Sequence, residues 1–496
     1  MIKNFKSSNI SLLFLVHGLK VMKKWCSLTI LLKPVYRCRM KVLLLSPNIE
    51  FLPDPIFPLG LAYMAAALKN RGDGYQILDL CFEEDIKASI SEQIKAYQPD
   101  LVGLSLRNLD NVSYPNYISY LPFYREVINT IRRNTKSRIL VGGSAFSLMP
   151  REIFDYLEVD FGIVGEGESA IVKLLDDIER AEQLGKPLQR HIIRDCDVGV
   201  IQKLDEFPVP DRTGIDSAAY LKFGGMGNIQ TKRGCPFNCI YCTYPIIEGR
   251  QVRLRSPKQI CDEIESLMDM GIKHLFIVDN EFNYPVEHAQ FVCHEIIRRR
   301  LKIKWSGYAN PKFIQPKLVE LMCESGCSGI EFGSDAANPF MLEKMGKAFT
   351  LEEMMRASEI CHRFDLSFCH SLLLGGPGET MQTVKQTLDA IVAMSPTAVV
   401  CMVGIRVFPG TRLCEIAIKE GLLKPDADLL EPFFYLSPAI AHKIFPFVEQ
   451  FSKEHPTWIF PGMAININRT LQKKIRRLGA RGPLWEYMRR GKRFKR

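Results

Sequence analysis

The sequence predicts an α/β protein: two successive series of parallel βα units, joined by a connector and followed by a small, mostly helical region. Three observations carry this. Short apolar runs alternate with amphipathic stretches from Met40 to about residue 180, and a second alternation of the same kind starts at Gly227. Between them, residues 182–225 are charge-rich and contain Glu206-Phe-Pro-Val-Pro-Asp211 and Gly224-Gly225, where two prolines in three residues hold the chain extended. Short strands separated by helices argue for parallel sheets covered by helices. With 496 residues, 47% hydrophobic and 24% charged, the chain has room for two to three domains of an ordinary globular class.

In the first series, strands are predicted at 41–46, 75–79, 101–105, 138–142 and 161–164, with helices at 59–71, 86–97, 117–133, 150–156 and 168–181. This is a doubly wound, Rossmann-like sheet over residues 40–181, whose ligands belong at the carboxyl ends of the strands. Those ends carry Ser105-Leu-Arg-Asn108, Gly142-Gly143-Ser144 and Gly165-Glu166-Gly167, and glycine there lets backbone approach a bulky ligand.

In the second series, strands are predicted at 227–231, 274–278, 303–308, 329–332, 367–374 and 399–407, each followed by a helical pattern. Polar residues gather at their carboxyl ends. Asp279-Asn-Glu281 follows the second strand, Tyr308 and Asn310 the third, and Glu331 and Ser334-Asp335 the fourth. His370 and Ser371 lie within the fifth, before Gly375-Gly376, and Arg406 lies in the sixth.

The most specific stretch follows the first of these strands: Thr231-Lys-Arg-Gly-Cys235-Pro-Phe-Asn-Cys239-Ile-Tyr-Cys242. Three thiolates in a C-x3-C-x2-C loop suit a [4Fe–4S] cube, and leave one of its four irons without a protein ligand. Zinc would want four ligands, and no fourth Cys or His is near in sequence. Cys323 and Cys327 form a second C-x3-C without a third partner and are read as core. The chain's fifteen cysteines are otherwise scattered singly, which speaks against a secreted disulfide framework and for a reducing cytoplasm.

The cysteine triad, with Tyr241 just before its last member, resembles the signature of the radical S-adenosylmethionine (SAM) enzymes. The resemblance implies that the open iron chelates the amino and carboxylate groups of SAM. An electron from the cluster then cleaves SAM to a 5′-deoxyadenosyl radical. The six βα units resemble that family's partial (β/α)6 barrel, over residues 226–425. By the same resemblance Tyr241, Glu281, Glu331, Ser334, Ser371, Gly375, Gly376 and Arg406 are SAM-binding candidates, with Arg406 suited to the carboxylate. Tyr308 and His370 are candidate catalytic groups, although a lone histidine in an apolar strand is more often hydrogen-bonded core.

Placed before such a motif, the first domain resembles the cobalamin-binding domain of the B12-dependent radical SAM family, through Pro58-Leu-Gly-Leu-Ala-Tyr63, Gly142-Gly143-Ser144 and Val164-Gly-Glu-Gly167. Ser105, Asn108, Gly142, Gly143, Ser144, Gly165, Glu166 and Gly167 are then the cobalamin candidates. The D-x-H-x-x-G motif of other cobalamin proteins is absent, and no histidine occurs between His17 and His191. This domain therefore offers no lower axial histidine. The resemblance covers nearly all of residues 40–425 and implies a cobalamin-dependent enzyme acting on an unactivated carbon, most often by methyl transfer. Radical oxidation or cyclisation is the second reading, and a non-catalytic cobalamin sensor a third, which has no need of an open iron. A ferredoxin or flavodoxin is the implied electron donor.

The net charge of +10 belongs to the ends. Residues 1–39 carry +8 and residues 469–496 carry +11, so the body between them is acidic, near −9. A nucleic-acid enzyme with a basic face is therefore not expected. The apolar runs in residues 1–39 fall short of the ~18 residues a membrane span needs. No small-residue cleavage site follows them, so this segment is read as an extension upstream of the natural start. Residues 426–496 are read as a helical cap with a basic tail. There Leu471, Ile475 and Leu478 fall at i, i+4 and i+7 among lysines and arginines. Such a helix lies either on an anionic membrane surface or docked with its charged face in solvent. The expected substrate is a small molecule, with the tail hinting at a lipid or isoprenoid. The expected location is the cytoplasm, with peripheral membrane contact through the tail.

Overall fold

The computed structural model describes residues 40–462 and 469–489; the expectations for residues 1–39 lie outside them. The first sheet contains β1 (Lys41–Ser46), β2 (Gly74–Asp79), β3 (Leu101–Ser105), β4 (Arg138–Gly142), β5 (Phe161–Ile163) and β6 (His191–Ile193). All are parallel, in the order β2-β1-β3-β4-β5-β6. Val42–Leu45 are buried because helices pack on both faces, which is why these strands read as continuous apolar runs. The order reverses between β1 and β3, so a crevice opens above their carboxyl ends.

Segment 182–225, expected to be a connector, does more than connect. His191–Ile193 joins the sheet as its edge strand, pairing with β5. The Ser217–Phe223 helix then packs Tyr220 among Phe57 and Phe82. Asp211 pins this passage to the first domain, accepting from Lys69 (2.7 Å) and the Tyr75 hydroxyl (2.6 Å).

The second sheet begins with β7 (Gly227–Ile229). A small antiparallel ribbon of β8 (Lys232–Arg233) and β9 (Arg253–Leu254) follows, then β10 (His274–Ile277), β11 (Lys304–Ala309), β12 (Cys327–Asp335), β13 (Ser367–Leu374) and β14 (Ala398–Val403). The six parallel strands run β14-β13-β12-β11-β10-β7, as a partial barrel requires. Two features differ from expectation. The sixth strand ends at Val403, and Gly404 (φ +78°) turns the chain away. There β15 (Ile405–Arg406) pairs antiparallel with β16 (Phe434–Tyr435). A short seventh strand, β17 (Trp458–Ile459), is added beside β14.

The C-terminal region docks through polar atoms. Among the described side chains of the Arg469–Arg477 helix, Gln472 and Arg476 are the buried ones, whereas Leu478 just beyond it is 89% exposed. Arg476 pairs with Asp54 at 2.6 Å and donates to the carbonyl of Gly482, while Gln472 donates to the carbonyl of Pro53. The helix docks through Gln472 and Arg476, while Lys474 and Arg477 stay in solvent. Beyond this helix, Leu484–Arg489 places Trp485 beneath the barrel. No helix among the described residues is long and apolar enough to cross a membrane.

Burial pushes Asp54 up to about 6 against the pull of Arg476. Removing the arginine strands a buried carboxyl group, so Arg476→Ala is expected to cost about 3 kcal/mol in urea unfolding. The double variant Asp54→Ala/Arg476→Ala is expected to recover part of that loss.

Candidate active site

The cysteine loop is held from below before it reaches its thiols. Asp279 accepts from the backbone N–H of Thr231 (2.6 Å) and from its hydroxyl. The buried Lys232 ammonium donates to the carbonyls of Phe282 (2.6 Å) and Tyr284 (3.1 Å). Gly234 sits at φ +93°, where a Cβ would lie 2.1 Å from the carbonyl oxygen of Gln251. Only glycine lets the chain turn there, one residue before Cys235.

Burial pushes all three thiols up, Cys235 to about 11 and Cys242 to about 12. Thiolates at such positions require a bound metal to stabilise them. No three metal-ligating side chains among the described residues converge closely enough to hold a single ion. Three thiolates suit a cube, where each binds a different iron.

Around the triad the structure gathers groups from three strand ends. Asp335 (φ +62°) accepts from the Tyr241 hydroxyl (2.6 Å) and from the Lys347 ammonium (2.7 Å). Lys347 is buried and also approaches the sulfur of Cys239. Glu281 is pushed up to about 7 by burial, with Lys347 pulling down and Asp335 up. Its Oε2 is buried without a hydrogen-bond partner. An orphaned carboxylate oxygen and a buried ammonium beside the cysteines fit the amino and carboxylate groups of SAM. Sequence reasoning missed Lys347: it is one lysine among many, with no motif to single it out.

Several predicted residues are engaged elsewhere. Arg406, outside the barrel in β15, is buried against Asp110 (2.8 Å) and the carbonyls of Val407 and Leu429, so it clamps the two domains instead of meeting a ligand. The N–H groups of Gly375 and Gly376 are taken by the Glu379 carboxylate, itself pushed up to about 7 by burial. Ser334 and His370 bond each other at 2.7 Å, outside the barrel interior, with the imidazole between Phe332 and Phe368. His370 is core. Ser371, Tyr308 and Glu331 alternate to the interior side of their strands and remain partly exposed.

All eight cobalamin candidates line one cleft of about 570 Å³. Gly143 (φ +94°) lets the backbone pass where a Cβ would lie 2.6 Å from the Leu106 carbonyl oxygen. The opposite wall comes from the barrel: Gln230, Arg233, Thr243, Tyr244 and Phe408. No histidine lines the cleft; Arg107 does. The Glu166 carboxylate does not face a ligand, because Arg253 (2.7 Å) and Arg233 (3.1 Å) hold it.

Comparison with known proteins agrees with this geometry. Residues 229–391 match the radical SAM superfamily and residues 50–175 the B12 binding domain. This chain is a radical SAM protein with a B12-binding domain. It is 27% identical over 441 residues to the tryptophan 2-C-methyltransferase of Streptomyces laurentii, covering 74% of this chain and 73% of that one. An uncharacterized methyltransferase of Pyrococcus horikoshii is 27% identical over 400 residues, covering 77% and 84%. The radical SAM methyltransferase TsrM of Kitasatospora setae, solved with tryptophan and a SAM analogue, superposes with a TM-score of 0.80 at 25% identity, covering 92% and 98%. The same enzyme solved with cobalamin and a [4Fe–4S] cluster gives 0.79.

His370 in this radical SAM protein provides a pH test of its core role. Burial holds the imidazole down to about 3, so between the ordinary value near 6.5 and about 3 the unfolded chain binds a proton that the folded chain refuses. Its contribution is complete above pH 6.5 and is lost as pH falls. Going from pH 7 to pH 5 is expected to cost the wild type about 2 kcal/mol more than His370→Asn in urea unfolding.

Proposed function

We propose that this protein is a cobalamin-dependent radical SAM C-methyltransferase acting on a small molecule. The observation that carries the reading is the shared cleft. One space is lined by the glycine-bearing edge of the first sheet and by residues flanking the cysteine loop. Two relatives named as methyltransferases, matched over about three quarters of the chain, support the choice of reaction.

A [4Fe–4S] cluster with SAM supplies reductive cleavage, and cobalamin supplies a methyl carrier. Cys235, Cys239 and Cys242 would hold the cluster and leave one iron free of thiolate. Lys347, fixed by Asp335, would take the SAM carboxylate, and the open oxygen of Glu281 its amino group. Tyr241 keeps Asp335 in place. The Gly142–Ser144 and Gly165–Gly167 turns would bear cobalamin, in a cleft that no histidine lines. Tyr244 and Phe408 line the barrel side of the cleft.

The functional division we favour is 40–181 for cobalamin, 182–225 as connector, 226–425 for SAM and 426–496 as cap. A ferredoxin or flavodoxin is the proposed electron donor, in an anaerobic cytoplasm. The 469–477 helix is a docked element of the cap in this reading, held through Gln472 and Arg476.

Protein reconstituted anaerobically with iron, sulfide and cobalamin is to be given reductant, SAM and a cell extract. Mass spectrometry is expected to show substrate-dependent 5′-deoxyadenosine and S-adenosylhomocysteine in near-equal amounts. 5′-Deoxyadenosine alone would mean oxidation or cyclisation instead. Alanine at 235, 239 or 242 is expected to abolish iron retention and both products. Lys347→Met is expected to keep iron and weaken SAM binding about ten-fold or more.

A further inference from the structure

We infer that the floor of the barrel is a recognition subsite for a largely apolar substrate whose buried end carries an N–H or O–H donor. The inference rests on the reading above and takes the barrel interior, below the cysteine loop, as the substrate chamber. Strand register sets Tyr308 of β11 beside Glu331 of β12, and Glu331 beside Cys369 of β13. Their neighbours Trp305, Phe332 and Phe368 belong to the core under the outer helices, so these three side chains point inward. Tyr308 is 38% exposed although it sits in an interior strand of the sheet, and that surface faces the chamber.

The C-terminal segment builds the floor. Trp485 reaches in from beneath and donates its indole N–H to Glu331 Oε1 at 2.7 Å. Gly329 makes room, since a Cβ there would lie 2.7 Å from the indole ring. Trp485 packs with Cys369 and Ala398, and Phe276 meets the Tyr308 ring edge-on at 5.2 Å. Within these apolar walls two polar groups are left over. Glu331 Oε2 and the Tyr308 hydroxyl have no hydrogen-bond partner among the described residues. Burial pushes the Glu331 carboxyl up to about 7, against the Trp485 hydrogen bond.

An acceptor in an apolar chamber, with one oxygen fixed and one open, discriminates by hydrogen bonding. A ligand with a donor satisfies it, and one without leaves it desolvated and unpaired. A pure hydrocarbon skeleton therefore fits this floor poorly. The same geometry makes the C-terminal segment part of the substrate site.

The test is calorimetric binding to the reconstituted holoenzyme without reductant, so that nothing turns over. The probes are matched pairs: indole against benzofuran and indene for N–H, and 2-naphthol against naphthalene for O–H. At least one donor is expected to bind about ten-fold or more tightly than its partners without a donor, and the pair that discriminates identifies the donor atom. Glu331→Gln keeps the shape and an acceptor for Trp485, and is expected to reduce that preference to about three-fold or less. Tyr308→Phe is expected to reduce it by a smaller factor. Equal affinities within both pairs, tighter binding of the hydrocarbons, an unchanged preference in Glu331→Gln, or no binding by any probe would overturn the inference. If donor preference holds while no methyl transfer is found, the transferase reading falls alone. If methyl transfer proceeds without donor preference, the floor reading falls alone.

Discussion

A buried ion network at the meeting of the two sheets governs the rest of the structure. Glu166 and Glu168, at the carboxyl edge of the first sheet, accept from Arg233 and Arg253 of the ribbon that leads into the cysteine loop. Glu166 also accepts the backbone N–H of Ile201, which ties in the connector. Arg233 stands two residues before Cys235. Removing one partner from such a set leaves a buried charge alone, at a cost of about 3–5 kcal/mol. The edge that would bear one cofactor and the loop that would bear the other therefore form a single piece. Arg212 of the connector on Glu263, and Arg406 on Asp110, brace the same interface.

Availability, more than position, separates the polar residues that can meet a ligand from those that cannot. Gly375, Gly376 and Ser334 sit at or near strand ends, where chemistry gathers in barrels, His370 lies within its strand and Arg406 just beyond the sixth. Each has its hydrogen-bonding capacity taken by the protein. Glu281, Glu331 and Tyr308 sit at comparable places and keep an atom open. Glu281 Oε2 is buried without a partner, and the cost of that directs a ligand toward it.

Much of the fold was legible because its signals are local. A buried parallel strand reads as an apolar run, and its helices by their period, so ten of the predicted strands lie within a few residues of those observed. The parts that escaped depend on distant partners. His191–Ile193 is short and half-buried, and becomes a strand only because β5 offers an open edge. The C-terminal helix was read by its leucines and isoleucine, yet its register is set by Asp54, 422 residues earlier in the chain. Periodicity finds an apolar face; it has no means of finding an arginine whose partner is a buried carboxylate.

The site divides in the same way. Three cysteines within eight residues, glycines at the ends of strands and the lack of a histidine in the first domain are properties of adjacent residues, and they survive any packing. Through the family resemblance they carry, they implied the two cofactors and the kind of sheet that bears each. Which carboxylate stays open, which arginine becomes a clamp, where Lys347 comes to lie and how Trp485 closes the barrel are matters of contact between residues far apart in the chain. A side chain's chemistry is written in its identity, but its freedom to act depends on what burial leaves beside it, and burial is a property of the whole fold.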